Sequence, residues 1–492
     1  MKTQPKSALI IGAGIAGLAT SIRLQSAGIQ VSVFEKNAYP GGKLTAFSEK
    51  GYRFDMGPSL FTMPHFIEEL FAVAKKDVNN YFEYHKKDTV CHYFFEDGTE
   101  FQAKANANEF AESAEAVFDV KKTDILNYFE RSKKKYDLTA SLFLEKSLHR
   151  KSTYLSKETI KAILNLGALD INTNLHQYNS KSFSDPRLVQ FFDRFATYNG
   201  SDPYQTPGIM SMIPHLEQYF GTFFPKGGMH SITQSLYQLA QDIGVQFHFD
   251  TEVDEILVAN NKAVGIKTKT EEFKADIIVS NSDVVPSYRG LLRTQRAPEK
   301  VLRQPRSSSA LIFYWGIKKE FLQLDLHNIF FSEDYKEEFK TIFQQENVIN
   351  DPTVYVNITS KEEKSDAPEG CENWFVMINT PSNKGQDWEE IIERSRKNII
   401  DKLSKLLGVS IGDLIEFEAI LDPRTIEKRT NSYQGALYGA ASNNKFAAFL
   451  RHPNFTNNIG NLYFCGGSVH PGGGIPLCLL SGKIVSELIL KN

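Results

Sequence analysis

Three glycines in the run Gly12-Ala13-Gly14-Ile15-Ala16-Gly17 have the spacing that lets a peptide backbone wrap a pyrophosphate. Gly12 permits a tight turn, Gly14 admits a phosphate close to the main chain, and Gly17 lets the following helix pack on the preceding strand. A helix starting here offers free N–H groups and the positive end of its dipole to the phosphates. Glu35 stands where a carboxylate accepts hydrogen bonds from ribose hydroxyls. The flanking elements suit that role. Residues 7–11 read as a short buried strand, and 15–27 carry Ile15, Leu18, Ile22 and Leu24 at helical spacing. Gly28 closes that helix, and Val31 to Glu35 form a second strand. A mere glycine-rich turn would leave Glu35 unexplained, so the unit reads as a dinucleotide site.

Other residues choose between nicotinamide and flavin. Lys36 is expected at the cofactor beside Glu35, and Pro40-Gly41-Gly42-Lys43 follows, a turn that lets backbone pass under a cofactor with Lys43 near phosphate or ribityl. Asp55-Met56-Gly57-Pro58-Ser59 is a second tight loop, read as facing the flavin, with a purely structural β-turn as the alternative. Val253, in the run 251–258, could pair its backbone with adenine. Far along the chain, Asn461 to Cys465 is a strand running into Gly466 and Gly467, with an ordinary edge strand and turn as the alternative reading. A nicotinamide domain has no use for a remote glycine-ended strand, whereas an extended FAD can be gripped at both ends. FAD is therefore the expected cofactor.

These residues must be carried by a larger frame. At 492 residues the chain exceeds one simple core. The pattern predicts a helix at 229–243, strands near 245–258, 263–269 and 275–280, and a linker at 303–309. Strands near 310–316 and 353–357, a helix near 387–407, a strand at 461–465 and a helix from about 475 complete the reading. The fold class is α/β: a Rossmann-type FAD-binding domain, a mixed α+β substrate domain, and a helical membrane or lid subdomain. FAD-binding segments are expected at 1–75, 222–290 and 421–492, with substrate and lid segments at 76–221 and 291–420. A net charge of −3 argues for no nucleic-acid partner. Cys91, Cys371, Cys465 and Cys478 lack metal-ligand spacing, so no metal is expected and a reducing, cytoplasmic setting fits. Lys2 and Lys6 before an apolar run resemble a signal peptide, but the run carries the dinucleotide glycines instead. With no apolar segment near the ~20 residues that span a bilayer, a soluble or peripheral protein is expected.

Together, Gly12–Gly17, Glu35, Pro40–Lys43, Phe54–Ser59, Phe223–Gly228 and Val469–Pro476 resemble the bacterial carotenoid desaturases. These form the phytoene desaturase-like branch of the FAD amine-oxidase superfamily, and the resemblance runs from residue 8 to 490. Within it, the segment from Asp55 to Phe66 looks most like the 1-hydroxycarotenoid 3,4-desaturases. By position, the resemblance implies FAD contacts from Ile15, Ala16, Glu35, Lys43, Pro58, Ser59, Leu60, Val253, Asn281, Gly466, Gly467, Ile475 and Pro476. The last four would approach the isoalloxazine or ribityl. One departure separates the chain from typical amine oxidases, since Gly466-Gly467 lacks the acid that usually ends their last strand.

The implied substrate is a long, acyclic, apolar carotenoid. Phe191, Phe192, Phe195, Tyr198, Met210, Met212, Tyr219, Phe220, Phe223 and Phe224 are candidate channel or lid residues, with ordinary core packing as the alternative. Residues 131–151 carry seven Lys/Arg against Asp137 and Glu145, beside Tyr136, Leu138, Leu142, Phe143, Leu144 and Leu148. That stretch suits a peripheral membrane surface, or else a solvated helix packed on the core. A C–H beside a polyene favours hydride loss to flavin N5 followed by proton loss, with oxygen or a quinone as the final acceptor. His470, Asp193 and His215 are the candidate bases, although a polyene cation needs no strong base. His470 reads equally as a structural histidine, and Asp193 as the partner of Arg194. A substrate hydroxyl would need one polar partner in an apolar pocket. A phytoene-type desaturase, a redox-neutral isomerase, an amine or amino-acid oxidase and a non-catalytic carotenoid-binding protein remain as alternatives.

Overall fold

The computed structural model describes residues 5–143, 146–150, 169–443 and 451–491. Its nucleotide-binding half is a five-stranded sheet in the order Leu462–Phe464, Ile277–Ser280, Ser7–Ile11, Gln30–Phe34, Gln246–His248. All four pairings are parallel. A parallel sheet covered on both faces demands near-continuous apolar strands, and Ala8–Ile11, Ile277–Val279 and Leu462–Phe464 supply them. Helices Ile15–Ser26, His230–Asp242 and Ile475–Leu490 cover one face. A three-stranded antiparallel sheet, Val253–Ala259, Lys262–Thr268 and Glu272–Lys274, covers the other. The last helix lies tightly on the first: a Cβ on Gly482 would stand 3.0 Å from the Ala19 Cβ and 3.1 Å from the Ala16 carbonyl.

The long strand predicted at 245–258 is two strands in different sheets. Asp250 adopts a left-handed backbone, φ 50°, which turns the chain from one sheet to the next. The strand expected from 275 starts at Ile277. Asp276 is drawn instead into bonds from the Lys6 and Ser7 amides, at 2.7 and 3.1 Å, that anchor the opening of the first strand.

A seven-stranded mixed sheet forms the second layer, in the order Ile415–Leu421, Ser309–Ile317, Glu372–Thr380, Val354–Ile358, His327–Phe330, Thr89–Phe94, Glu100–Lys104. Its outer face packs Trp315, Trp374 and Val376 against Ile391 and Leu403 of helix Trp388–Leu407. The inner face meets an aromatic cluster carried by Ala107–Val117, Lys122–Phe143 and Pro186–Asp193. Residues 303–309, expected as a linker, instead include a buried crossing between the layers. The Ser307 amide donates to the Gly439 carbonyl and the Ser308 amide to Gly200, both at 2.9 Å, while the Ser309 hydroxyl donates to Gly435 at 2.6 Å. Small hydroxyl side chains are what such a narrow polar passage can hold.

Candidate functional site

The glycine run forms the turn that its spacing requires. Gly12 has φ +96°, a conformation costly for any side chain. A Cβ on Gly17 would lie 2.2 Å from the Gly12 carbonyl, and one on Gly14 would lie 2.9 Å from the Asn281 amide nitrogen. The first helix begins at Gly14 with no side-chain cap, leaving its amino end open to an anion. Glu35 is buried beside this turn. One carboxylate oxygen accepts from the Ala13 amide at 2.9 Å; the other accepts from the Asn37 backbone and side-chain nitrogens, each at 2.9 Å. The carboxylate is thereby fixed against the loop.

Asn281 joins the two ends of the chain. Its amide continues the strand by donating to Ile11, its side chain donates to the Gly12 carbonyl at 3.3 Å, and its carbonyl oxygen accepts from the Cys465 thiol at 3.7 Å. A Cβ on Gly466 would come within 2.8 Å of that same oxygen. The C-terminal glycines therefore lie beside the amino end of the first helix. The last helix also starts without a side-chain cap, at Gly474 with φ +107°, with Ile475 buried and Pro476 in its first turn.

Between these ends the Lys43 ammonium donates to the carbonyls of Ala436 and Leu437, at 3.1 and 2.8 Å. Burial pulls its pKa down, while Asp283 and Cys478 act to raise it again. The loop at Gly57 to Leu60 is pressed on this turn, since a Cβ on Gly57 would meet the Lys43 carbonyl at 2.0 Å. Gly42 shares the approach, its Cβ position being 3.5 Å from Gly14. Lys36 points elsewhere and donates to the Lys428 carbonyl at 2.8 Å. Val253 borders a cleft of about 450 Å³ that also includes Val285, Arg289 and Tyr433.

Sequence reasoning missed Arg451. Its buried guanidinium donates to the carbonyls of Tyr438, at 2.5 Å, and Gly467, at 3.3 Å, and so braces the second glycine segment. Burial lowers its pKa to about 10. Nothing in its local sequence signals this role, which arises only when 438, 451 and 467 are folded together. Two glycine cradles, two uncapped helix starts and a fixed carboxylate fit an extended dinucleotide.

The sequence matches the family described as flavin containing amine oxidoreductase over residues 15–490. The chain belongs to that family. The 1-hydroxycarotenoid 3,4-desaturase of Flavobacterium sp. (strain P99-3) is 60% identical over 484 residues, 98% of this chain and 99% of that protein. The 4,4'-diapolycopene oxygenase of Methylomonas sp. is 31% identical, covering 98% of each chain. Among solved structures, an oxidoreductase from Methanosarcina mazei superimposes with TM-score 0.64 at 17% identity, over 98% of this chain and 100% of that one. FAD is the cofactor of this flavoprotein, held on an amine-oxidase fold.

The three candidate bases have separate partners. His470 is 2% exposed and its Nε2 donates to the Lys146 carbonyl at 2.9 Å. The buried Asp193 carboxylate contacts His176 Nδ1 at 2.6 Å and accepts from Asn179 at 2.8 Å, and burial raises its pKa. His215 stacks on Tyr219, ring centroids 4.9 Å apart, and burial lowers its pKa. The expected Asp193–Arg194 pair is not what forms: Arg194 approaches Glu217, at 3.6 Å, because the helix turns Asp193 back toward His176. Of the candidate channel residues, Phe191, Phe192, Phe195 and Met210 are core members, and Tyr219 is 62% exposed.

The run at 131–151 is split by the helix. Arg131, Lys133 and Lys134 are exposed, whereas Lys135 is buried and paired with Asp170 at 2.8 Å, with Leu138 and Leu148 also buried. The apolar side of the described part therefore faces the core. Leu144, Glu145 and Lys151 lie outside the described residues, as do the side chains of Leu142 and Phe143. Among the described residues, no helix is long and apolar enough to cross a membrane.

Burial also sets an acid limit. It lowers the pKa of both His452 and His470 from the ordinary 6.5 to about 4. Between those values the unfolded chain binds more protons than the folded one, so the associated stability is complete above pH 6.5 and is lost as pH falls toward 4. At about 1.4 kcal/mol per pKa unit, each histidine accounts for roughly 3 kcal/mol at most. Thermal denaturation should give a midpoint that drops steadily from pH 6.5 to 4.5, and a flat profile would contradict the buried neutral state.

Proposed function

We propose that this flavoprotein desaturates an acyclic 1-hydroxycarotenoid, introducing the C3–C4 double bond. The observation that carries this reading is the 60% identity, end to end, with a protein named for that reaction. Gly12–Gly17 and Glu35 would hold the pyrophosphate and adenosine of FAD, and Val253 its adenine. Lys43, Pro58 to Leu60, Asn281 and Gly466–Gly467 would hold the ribityl and ring, with Ile475 and Pro476 closing the ring side. Bound FAD supplies a two-electron acceptor for the hydride removed from the substrate. The protein's part is to align the chain, exclude water and leave the second proton free to depart.

The aromatic inner face of the seven-stranded sheet supports an apolar partner. Tyr314 and Phe375, with ring centroids 5.6 Å apart, lie on it, and the Tyr314 hydroxyl donates to the Met56 carbonyl at 3.3 Å beside the 57–60 loop. The separate anchoring of His470, Asp193 and His215 supports a reaction without a dedicated strong base, because a polyene cation loses its proton readily. The segments 1–75, 222–290 and 421–492 would be the FAD-binding part, since they supply all five strands of the parallel sheet. Segments 76–221 and 291–420, which supply the seven-stranded sheet except for Leu421 at the end of its edge strand, would form the substrate part. Exposed Arg131, Lys133 and Lys134 are the proposed contact with an anionic membrane surface from the cytoplasmic side, with oxygen or a quinone reoxidising the flavin.

Anaerobic mixing of the FAD-loaded protein with a 1-hydroxylated acyclic carotenoid tests the reading. The flavin absorbance should bleach, and the product should be lighter by two hydrogens. A product of unchanged mass would establish isomerisation instead, and no bleaching with either hydroxylated or unhydroxylated carotenoid would end the desaturase reading.

A further inference from the structure

The inner face of the seven-stranded sheet holds one polar thread among its aromatic rings. His327 pairs with Asn357, and Ile329 with both Tyr355 and Tyr93, so His327, Tyr355, Asn357, Cys91 and Tyr93 project from the same side. The Ser59 hydroxyl lies 2.8 Å from the Tyr355 hydroxyl, which lies 2.7 Å from His327 Nδ1. The Asn357 side-chain nitrogen is 3.2 Å from that same Nδ1 and 2.9 Å from the Leu326 carbonyl.

These contacts settle the imidazole tautomer. A carbonyl can only accept, so the Asn357 atom facing Leu326 is the donating nitrogen, and it donates to His327 Nδ1 as well. Nδ1 is therefore the acceptor, and the ring proton is on Nε2. Burial lowers the His327 pKa to about 3, so the ring stays neutral. Nε2 is buried and has no hydrogen-bond partner among the described residues. The charge of Arg194, whose own Nε is similarly buried and unpartnered, reaches both His327 and Tyr355.

An unmet buried donor costs about 1–3 kcal/mol, a cost removed when an acceptor arrives. Here the donor stands two hydrogen bonds from Ser59, in the loop pressed against Lys43. In a 1-hydroxycarotenoid the hydroxyl-bearing carbon is two bonds from C3, so the group that reads the hydroxyl must sit close to the reacting bond. We infer that His327 is the specificity-determining residue, its Nε2–H donating to the substrate hydroxyl while Asn357, Tyr355 and Ser59 hold the ring in that tautomer. This rests on the desaturase reading above and adds to it the element that distinguishes hydroxylated from unhydroxylated chains.

The test compares kcat/KM, from anaerobic flavin bleaching of the FAD-loaded enzyme, for an acyclic carotenoid with a terminal tertiary hydroxyl and for its counterpart without one. The native enzyme should favour the hydroxylated substrate, and His327→Leu should lower that preference by about 10- to 100-fold. His327→Gln, whose amide nitrogen can donate from nearly the same place, should restore part of it. Tyr355→Phe removes the hydroxyl that holds Nδ1 and should lower the preference more mildly; it decides the matter if the leucine variant fails to fold. A native enzyme that prefers neither substrate, or folded variants that keep the full preference, would overturn the inference and leave desaturation standing. Bleaching by neither substrate would instead bring down the desaturase reading itself.

Discussion

Gly17→Ala is expected to yield a folded but nearly colourless protein. The new Cβ would lie 2.2 Å from the Gly12 carbonyl, a backbone atom with no side-chain freedom to move aside, and 2.9 Å from the Asn281 amide nitrogen. Relief requires the first helix to lift off the strand, displacing the N–H groups offered to the pyrophosphate. Overpacking of this kind costs about 1–3 kcal/mol. If that cost falls entirely on the cofactor-bound geometry, FAD affinity drops by up to about 100-fold. Flavin content after purification and a titration followed by fluorescence quenching would measure it. Affinity within about twofold of the native protein would show that the glycine turn does not shape the site.

Asn281→Leu should have the next largest effect, because one side chain serves both chain termini. Leucine has similar bulk but cannot donate to Gly12 or accept from Cys465. Gly14, Gly17 and Gly466 clear space for that side chain, since a Cβ on any of them would come within 2.9 Å of it, and the bulkier tetrahedral end of leucine would crowd their backbones. Losing a hydrogen bond and adding strain predicts FAD binding weakened by about 10- to 100-fold. Asn281→Asp keeps the shape and the acceptor and should be milder. A leucine variant with native affinity would mean that the two glycine segments act independently.

The parallel sheet and its cofactor turn were legible because a dinucleotide imposes residue identities at fixed spacing. Gly12, Gly14, Gly17 and Glu35 leave few alternatives once a strand precedes and a helix follows them. The nearness of the C-terminal glycines to the first turn was legible for the same reason, since both were expected to serve one cofactor. Asp250, by contrast, breaks a run of strand-forming residues through a left-handed turn that a propensity pattern does not register. Arg194 reads in sequence as the neighbour of Asp193, yet helix geometry sends the two side chains to different partners, His176 and Glu217. Lys135 looks like one member of a basic surface run and is buried against Asp170. For Asp193, Arg194 and Lys135 the partner lies outside the neighbouring residues, so local sequence carries no trace of it. The polar thread from Ser59 to Asn357 is hidden for the same reason, being assembled from a loop and two strands.

Hydrogen–deuterium exchange, compared between the FAD-free and FAD-loaded protein, would probe the joint grip of both chain ends most directly. Amides of residues 13–18 and of 466–476 should slow together on loading, because one cofactor covers both. Protection confined to the N-terminal glycines, with 466–476 exchanging as fast as before, would contradict the shared site.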